Sequence, residues 1–185
     1  MAPRASLHVR PVGALAVARH YLRDFVYGAN DGVITTFAVV AGVTGGALSQ
    51  RVVLIIGAAN LLADGLSMTV GNFLSIRSNE GARRVQDLPE EESEPVRHAL
   101  ATFVAFVAVG SVPLLPYLLP WGFSARFPAA VVLTFVALAI VGILRAAVTD
   151  ETWWGSALEM LGLGIIVAVV AYFSGLLVSR LGAAG

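Results

Sequence analysis

Long apolar stretches alternate with short polar breaks along this chain of 185 residues. A helix needs about 20 mainly apolar residues to cross the hydrocarbon core of a bilayer, which is roughly 30 Å thick. Five stretches are long and apolar enough: residues 25–48, 52–76, 96–119, 128–148 and 157–178. The pattern predicts an all-α integral membrane protein with five transmembrane helices.

The polar breaks predict the domain organisation. The longest internal break is RSNEGARRVQDLPEEESEP, residues 77–95, which we interpret as a short acidic loop between the second and third spans. Residues 1–22 contain one brief apolar stretch, PVGALAVA, followed at once by Arg19 and His20, which does not fit a signal peptide. We therefore expect a cytosolic amphipathic segment at residues 1–22 and one transmembrane domain at residues 23–182.

Composition supports the membrane class. The chain is 57% hydrophobic and 13% charged, with a mean hydropathy of +0.81. A soluble domain of this size must face water with its exterior and does not need so much apolar surface. The net charge is zero, so nothing indicates a nucleic-acid partner. The absence of cysteine excludes disulfides and thiolate metal ligands.

Arginine positions predict the orientation in the membrane. Nine arginines lie in or beside the segments on one side, at positions 4, 10, 19, 23, 77, 83, 84, 97 and 145. Three lie on the other side, at positions 51, 126 and 180. Because cytosolic loops carry an excess of basic residues, we expect the N-terminus and the acidic loop to be cytosolic.

Polar residues inside the first two spans are the candidate functional groups. Asn60, Asp64, Met68 and Asn72 recur at steps of four, so on a helix they form a stripe covering about 120° of one face. The first span carries Asp31 within GANDGVITTF. A polar stripe on an apolar membrane helix should face protein or water rather than lipid.

Charge explains why these acids need a partner. A carboxylate inside a bilayer costs several kcal/mol and requires a cation, a hydrogen-bonding network or a proton. Arg145 can pair with one acid but cannot neutralise Asp31, Asp64 and Glu159 together. The remaining acids must be protonated or must bind a cation that comes and goes.

Depth along the helices predicts how these groups are arranged. At 1.5 Å per residue, Asp31 lies about 9 Å inside the cytosolic boundary, Asn72 about 6 Å, Met68 about 12 Å and Asp64 about 18 Å. Glu159 lies at the cytosolic start of the fifth span. We therefore expect Asp31, Met68, Asn72 and Glu159 to share a level, with Asp64 deeper.

The donor atoms favour a divalent cation as cargo. Carboxylate and amide oxygens suit hard cations, and a thioether shifts the preference toward a transition metal such as Fe²⁺. The candidate metal ligands are Asp31, Met68, Asp64, Asn72, Asn60 and Glu159. Other interpretations remain open, because methionine is often a packing residue, amides tie helices together and helix N-termini attract acids.

Four segments resemble a known family. They are YGANDGVITTFAVVAGVTGG, NLLADGLSMTVGNFLSIRS, ATFVAFVAVGSVPLLPYLL and ALEMLGLGIIVAVVAYFSGLL, and they look like successive spans of the vacuolar iron transporter family. The resemblance implies a five-helix protomer that forms a homodimer, with a metal path between the protomers. It also implies proton-coupled export of Fe²⁺, often with Mn²⁺, from the cytosol.

The resemblance assigns particular residues as well. The family's first-span aspartate corresponds to Asp31 and its second-span methionine to Met68. Some members carry glutamate where this chain has Asn60 or Asn72, and an amide there removes a protonatable group. Many relatives also insert a glutamate-rich metal-binding domain between the second and third spans. In this chain only about twenty residues connect the two spans.

The acidic loop permits two interpretations. Glu90, Glu91, Glu92 and Glu94 are either a remnant that concentrates cations at the entrance or a solvated loop that leads into the next helix. We favour the second, and so no high-affinity cytosolic metal store is expected.

Proton antiport is the mechanism that these residues favour. Burial raises carboxylate pKa values and a bound cation lowers them, so metal binding at Asp31 and Asp64 would expel protons. We expect Fe²⁺ or Mn²⁺ as transported substrate, no resident cofactor, and a prokaryotic plasma membrane (a vacuolar-type membrane if the source is eukaryotic).

Two other functional classes were weighed against transport. One is a membrane-embedded assembly or binding subunit whose buried acids pair with arginines of a partner protein. The other is an enzyme, which is disfavoured because His8, His20 and His98 lie outside the hydrocarbon region or at its edge, and no nucleophile is paired with them.

Overall fold

A computed structural model describes residues 6–8, 11–119, 122–149 and 151–182 of the chain. Its elements are α1 (Ala14–His20), α2 (Leu22–Gly45), α3 (Gln50–Val85), α4 (Pro95–Gly110), a 3₁₀ turn (Val112–Leu114), α5 (Leu115–Leu118), α6 (Phe123–Val148) and α7 (Trp153–Gly182). Five segments of the described chain are long and apolar enough to span a membrane. The predicted all-α membrane class with five spans is confirmed.

Helix α2 is the centre of the bundle, because it packs against α3, α4, α6 and α7. The side chains of Ala29, Val33 and Val40 are fully buried along it, and Phe37 is nearly so. Glycines allow α4 to approach closely. A Cβ atom at Gly32 would lie 2.5 Å from the carbonyl oxygen of Phe106, so α2 and α4 are in backbone contact there.

The third span is interrupted near its end. Helix α4 ends at Gly110 and is followed by the 3₁₀ turn that contains Pro113 and by the single-turn helix α5. Proline removes a backbone donor and clashes with the preceding turn, so Pro113 accounts for the break in the helix.

Helix α3 continues nine residues beyond the predicted end at Ile76 and occupies the first half of the predicted loop 77–95. Hydropathy marks where a helix leaves the bilayer, whereas a helix continues in water while its residues favour it. It ends where Asp87 adopts a φ of 54° and the N–H of Leu88 bonds the carbonyl of Arg83 at 3.0 Å. This is a Schellman cap.

The N-terminal segment is held against the loop that follows α3. The N–H of Leu7 donates to the carbonyl of Glu90 at 2.7 Å, and Ser6 forms an isolated bridge with Glu90. Arg4 and Arg10, which contribute to the arginine count, lie outside the described residues. The cytosolic placement of this side stays a prediction.

Candidate functional site

A buried polar network lies at the N-terminal end of α2. Asp24 is 1% exposed, and its two carboxylate oxygens are held by different helices. The amide of Asn72 on α3 donates to Oδ1 at 2.8 Å, and Nδ1 of His98 on α4 lies 2.5 Å from Oδ2. Asn72 also donates to the hydroxyl of Thr102 at 2.8 Å. One acid thereby ties three helices together.

Sequence reasoning missed Asp24 and His98 as members of this site. Asp24 precedes Asp31 by seven residues, which places both on one face of α2, and this spacing is a signal that could have found it. His98 is 6% exposed and lies near the start of the third span, but the sequence gives no indication of its partner. Asn72, predicted as a metal ligand, uses its amide protons to hold Asp24 and Thr102.

The second carboxylate pair lies deeper in the bundle. Helices α2 and α3 are antiparallel, and Asp24 is level with Asn72. Seven residues along α2 lead to Asp31 and eight back along α3 lead to Asp64, which are rises of about 10.5 and 12 Å. Asp31 and Asp64 accordingly lie at about the same level on two neighbouring helices. The predicted depth order is wrong, because Asp64 shares a level with Asp31 and Asn72 does not.

The error in depth has a simple cause. The depths on the second span were counted from residue 76, taken as the point where the helix leaves the membrane. Helix α3 continues to Val85, and its residues lie further along α2 than that starting point implies. Met68 lies one turn from Asp64 and one from Asn72, so it stands between the Asp24 level and the Asp31 level.

Several polar groups at the deeper level are incompletely paired. Asp31, Asp64, Met68 and Asn60 are all partly buried. Within the described part of the chain, the buried amide nitrogen of Asn60 and the buried amide oxygen of Asn30 have no hydrogen-bond partner. Buried polar atoms are normally paired, so these two amides are exceptions near the Asp31–Asp64 level.

Cavities open at both ends of the α2–α3 pair. The Asp24 cavity has a volume of about 430 Å³, and Asp24, Ser75, Glu92 and His98 are among its lining residues. The Gln50 cavity has about 530 Å³ and lies at the opposite ends of the same helices. There, Gln50 donates to the carbonyl of Tyr117 at 2.6 Å and accepts from Arg126. The Asp31 level lies between the two cavities.

Glu159 belongs to a separate surface network. Arg145 on α6 contacts Glu159 at 2.7 Å and Glu151 at 2.5 Å, and its Nε also donates to Ser156 at 3.1 Å. We expected Arg145 to pair with one acid, and it pairs with two, Glu151 and Glu159. The hydrogen bonds of Ser156 and Arg145 lower the pKa of the Glu151 carboxyl below its usual value.

The four loop glutamates have different surroundings. Glu91 pairs with Arg83 at 3.1 Å and Glu94 with Arg97 at 3.0 Å. The backbone carbonyl of Glu90 holds the N-terminal segment. These contacts are those of a structured surface loop. Three of the four glutamates contribute to holding the loop in place.

Glu92 is the loop glutamate that contacts His98. Its side chain is 17% exposed, and an oxygen lies 2.8 Å from Nε2 of His98. Burial raises the pKa of the Glu92 carboxyl, but the backbone N–H of Glu94 and the nearby histidines (His98, His8 and His20) lower it by more. The net result is a pKa below the usual value, so Glu92 is a stable anion at the edge of the Asp24 cavity.

Comparison with known proteins places the chain among membrane transporters. The model of the VIT family matches residues 22–88 and 82–176, which together cover most of the chain. The chain belongs to the VIT family. The two matched pieces meet at residues 82–88, in the acidic segment between α3 and α4.

Curated relatives of this VIT-family chain include plant proteins. Vacuolar iron transporter homolog 1 of Oryza sativa subsp. japonica is 32% identical over 176 residues, covering 86% of this chain and 75% of the relative. Vacuolar iron transporter homolog 2 of Arabidopsis thaliana is 34% identical over 134 residues, covering 69% and 68%.

A third relative shows that this VIT-family member is short. Vacuolar iron transporter 1 of Arabidopsis thaliana is 27% identical over 212 aligned positions, covering 84% of this chain and 85% of the relative. That alignment is longer than the 185 residues of this chain, so it contains gaps opposite residues of the relative. This chain is a short member of the family.

Proposed function

We propose that this chain transports a divalent transition metal, Fe²⁺ and also Mn²⁺, out of the cytosol in exchange for protons. The observation that carries the proposal is the pair of acids Asp31 and Asp64, which lie at one level inside two spans between two cavities. The printed names of the relatives, vacuolar iron transporters, support iron as the cargo.

The residues present suit such a cargo. Two carboxylates supply charge and oxygen ligands, the Asn60 amide supplies a further polar group, and the Met68 thioether lies one turn away. Oxygen ligands combined with a soft sulfur favour Fe²⁺ and Mn²⁺ over Mg²⁺ or Ca²⁺. In this proposal Asn72 has a positioning role, because it holds Asp24 at the mouth of the path.

Charge repulsion explains the exchange of metal for protons. Two carboxylates near each other inside a bilayer do not both stay ionised without a cation. An ion that enters from the Asp24 cavity displaces the proton held between Asp31 and Asp64. A proton that arrives from the Gln50 cavity then displaces the ion. Each step keeps the local charge low, so the pair alternates between metal and proton.

The direction of transport rests on the arginine count, which favours the cytosol for the Asp24 end. We infer on the same basis that the Gln50 cavity faces the lumen of a vacuole or the exterior of a cell. The names of the plant relatives favour a vacuolar-type membrane over the prokaryotic plasma membrane first expected.

We further propose that the active unit is a homodimer joined through α3. Four small residues at steps of four, Ala59, Ala63, Ser67 and Gly71, form an exposed stripe on this helix. They neighbour the stripe that holds Asn60 and Asp64, where the amide of Asn60 is buried and unpaired within the described residues. A second copy packed on the small residues would close this side of the path, because small residues let helix backbones approach closely.

Proteoliposomes test the transport proposal. We expect vesicles containing the wild-type chain to take up Fe²⁺ or Mn²⁺ under a pH gradient. Asp31→Asn and Asp64→Asn should each lower the initial rate of uptake at least about tenfold, which corresponds to an increase of roughly 1.4 kcal/mol in the activation free energy. Asp87→Asn is the matched control. Asp87 is exposed at the end of α3, and asparagine tolerates its positive φ, so this variant keeps the wild-type rate.

Two results would contradict transport. One is wild-type flux in both the Asp31→Asn and Asp64→Asn vesicles. The other is a wild-type chain that carries no metal but co-purifies with a partner protein, and releases it when Asp31 or Asp64 is changed. The second result would instead support the assembly-subunit interpretation.

A further inference from the structure

Three side chains from separate segments meet beside the Asp24 cavity. His8 precedes α1, His20 is the last residue of α1, and Glu92 lies in the loop between α3 and α4. One potential ligand atom from each lies within 4.8 Å of the other two. Nδ1 of His8 is 3.2 Å from Oε1 of Glu92, and Nε2 of His20 is 3.7 Å from Oε2.

The surrounding backbone holds Glu92 in this position. A carboxylate oxygen of Glu80, on the extended part of α3, accepts the N–H groups of both Glu91 and Glu92 at 2.9 Å. Oε1 of Glu92 accepts the N–H of Glu94 at 2.9 Å. The bond from Leu7 to the carbonyl of Glu90 holds the segment that carries His8. The cluster is therefore organised by neighbours that are not part of it.

Each of the two histidines has one buried ring nitrogen without a hydrogen-bond partner among the described residues. The His8 side chain is 6% exposed and that of His20 is 20% exposed. Within the described residues, the buried Nε2 atoms of His8 and His20 have no hydrogen-bond partner. An imidazole nitrogen removed from water without a partner costs free energy. In His20 the unpaired Nε2 is also the nitrogen that faces Glu92, so an ion bound there would remove this cost, whereas His8 faces Glu92 with Nδ1.

We propose that His8, His20 and Glu92 bind a divalent transition-metal ion. Two imidazoles and one carboxylate form a donor set that suits Fe²⁺, Co²⁺ and Zn²⁺, and it is too rich in nitrogen for Mg²⁺ or Ca²⁺. Bonds of about 2.0–2.2 Å set ligand atoms roughly 3.4 Å apart around a tetrahedral ion, so closing the cluster takes side-chain shifts of roughly 1 Å. Water would fill the remaining coordination positions.

This site connects to the transport path through His98. Oε2 of Glu92 lies 2.8 Å from Nε2 of His98, whose other nitrogen contacts Asp24. Glu92 and His20 also line the Asp24 cavity. An ion bound by the three residues lies beside the mouth of the path, where it is held before it enters. This role as a loading site rests on the proposed function, whereas metal binding itself does not.

Cobalt binding to the purified full-length chain tests the site. Co²⁺ bound by nitrogen and oxygen ligands absorbs visible light with an intensity that reports its coordination. We expect the metal-free wild type to bind one Co²⁺ at this histidine site with such a spectrum, beside the ion that the Asp31–Asp64 pair takes up. His8→Asn, His20→Asn and Glu92→Gln should each weaken this binding at least tenfold. Glu91→Gln is the matched control and should bind as the wild type does, because Glu91 is an exposed neighbour in the same loop that pairs with Arg83 and is not a member of the cluster.

The outcomes separate the two proposals. Gel filtration checks that the His8→Asn and His20→Asn proteins are folded. If both folded variants bind Co²⁺ as the wild type does, the proposed site is wrong and the transport proposal is unaffected. The transport variant Asp31→Asn should keep the Co²⁺ spectrum, because Asp31 lies deeper on α2. His8 lies outside the helices, so His8→Asn is the variant that keeps the test decisive should Glu92→Gln fail to fold.

Discussion

Asp24 shows how one buried acid is made stable inside the bundle. Each of its carboxylate oxygens is contacted by a different helix, and its surroundings leave almost none of it exposed. Asn72 supplies one of these contacts and uses its second amide proton on Thr102. Asn72, which we predicted as a metal ligand, connects α2, α3 and α4 through these hydrogen bonds.

Replacing Asn72 tests this structural role. We expect Asn72→Ala to lower the free energy of unfolding in detergent by about 1–3 kcal/mol, because the buried Asp24 oxygen and Thr102 hydroxyl lose their donor. Asn79→Ala is the control, since its amide makes one exposed bond of 3.4 Å to Glu91, and it should change stability by less than about 0.5 kcal/mol. Equal stability of the two variants would argue against the network.

Glu151 gives a pH-dependent prediction. Because its folded-state pKa is lowered by Ser156 and Arg145, its contribution to stability is complete above about pH 4.5, its ordinary value, and is lost as pH falls through the lowered folded-state value. Glu151→Gln should lower the melting temperature by a few degrees at most at pH 7, as for other exposed ion pairs. The difference from wild type should shrink as the pH falls below 4.5. A difference in melting temperature that grows as the pH falls would contradict this role of Glu151.

The sequence allowed members of the candidate site to be predicted only where a residue type is unusual for its surroundings. Asp31 and Asp64 were predictable because an acid inside an apolar span needs an explanation. The pairing of His98 with Asp24 was not, since it joins residues 74 positions apart and depends on how three helices dock. His8 and His20 carried no signal, because a histidine outside a span is ordinary until its neighbours are known.

At the scale of elements, close helix contacts decide the packing. The spans were predictable from hydropathy, but the end of α3 was not, because a helix that leaves the bilayer keeps its hydrogen bonds in water. That difference shifted the predicted depth of Asp64. The contact between α2 and α4 depends on glycine, which hydropathy does not distinguish from other small residues.

Gly32 tests this contact. Gly32→Ala would place a Cβ atom 2.5 Å from a backbone oxygen of α4, and we expect a loss of about 1–3 kcal/mol as the helices separate. Gly81→Ala is the control, because Gly81 lies on α3 with nothing within 4 Å of the added atom. That variant should gain up to about 1 kcal/mol from helix propensity. Thermal unfolding in detergent measures both, and a harmless Gly32→Ala would refute the close contact.

At the scale of the whole molecule, the proposed dimer completes the path. We expect Ser67→Trp to convert dimer to monomer, because the bulky ring would separate the small-residue stripes of the two α3 helices. Ile165→Trp places the same ring on the exposed apolar surface of α7 and should leave the dimer intact. Light scattering of the purified protein measures the mass. A Ser67→Trp dimer, or a monomeric wild type, would exclude this interface.

The central claim is that the Asp31–Asp64 pair exchanges metal for protons. The most direct measurement follows metal uptake and luminal pH together in the same proteoliposomes, with a pH-sensitive dye trapped inside. We predict that Mn²⁺ entry makes the lumen of wild-type vesicles more alkaline, and that Asp31→Asn abolishes both signals while Asp87→Asn preserves them. Metal uptake with no change in luminal pH, or coupled uptake that persists in Asp31→Asn vesicles, would contradict the claim.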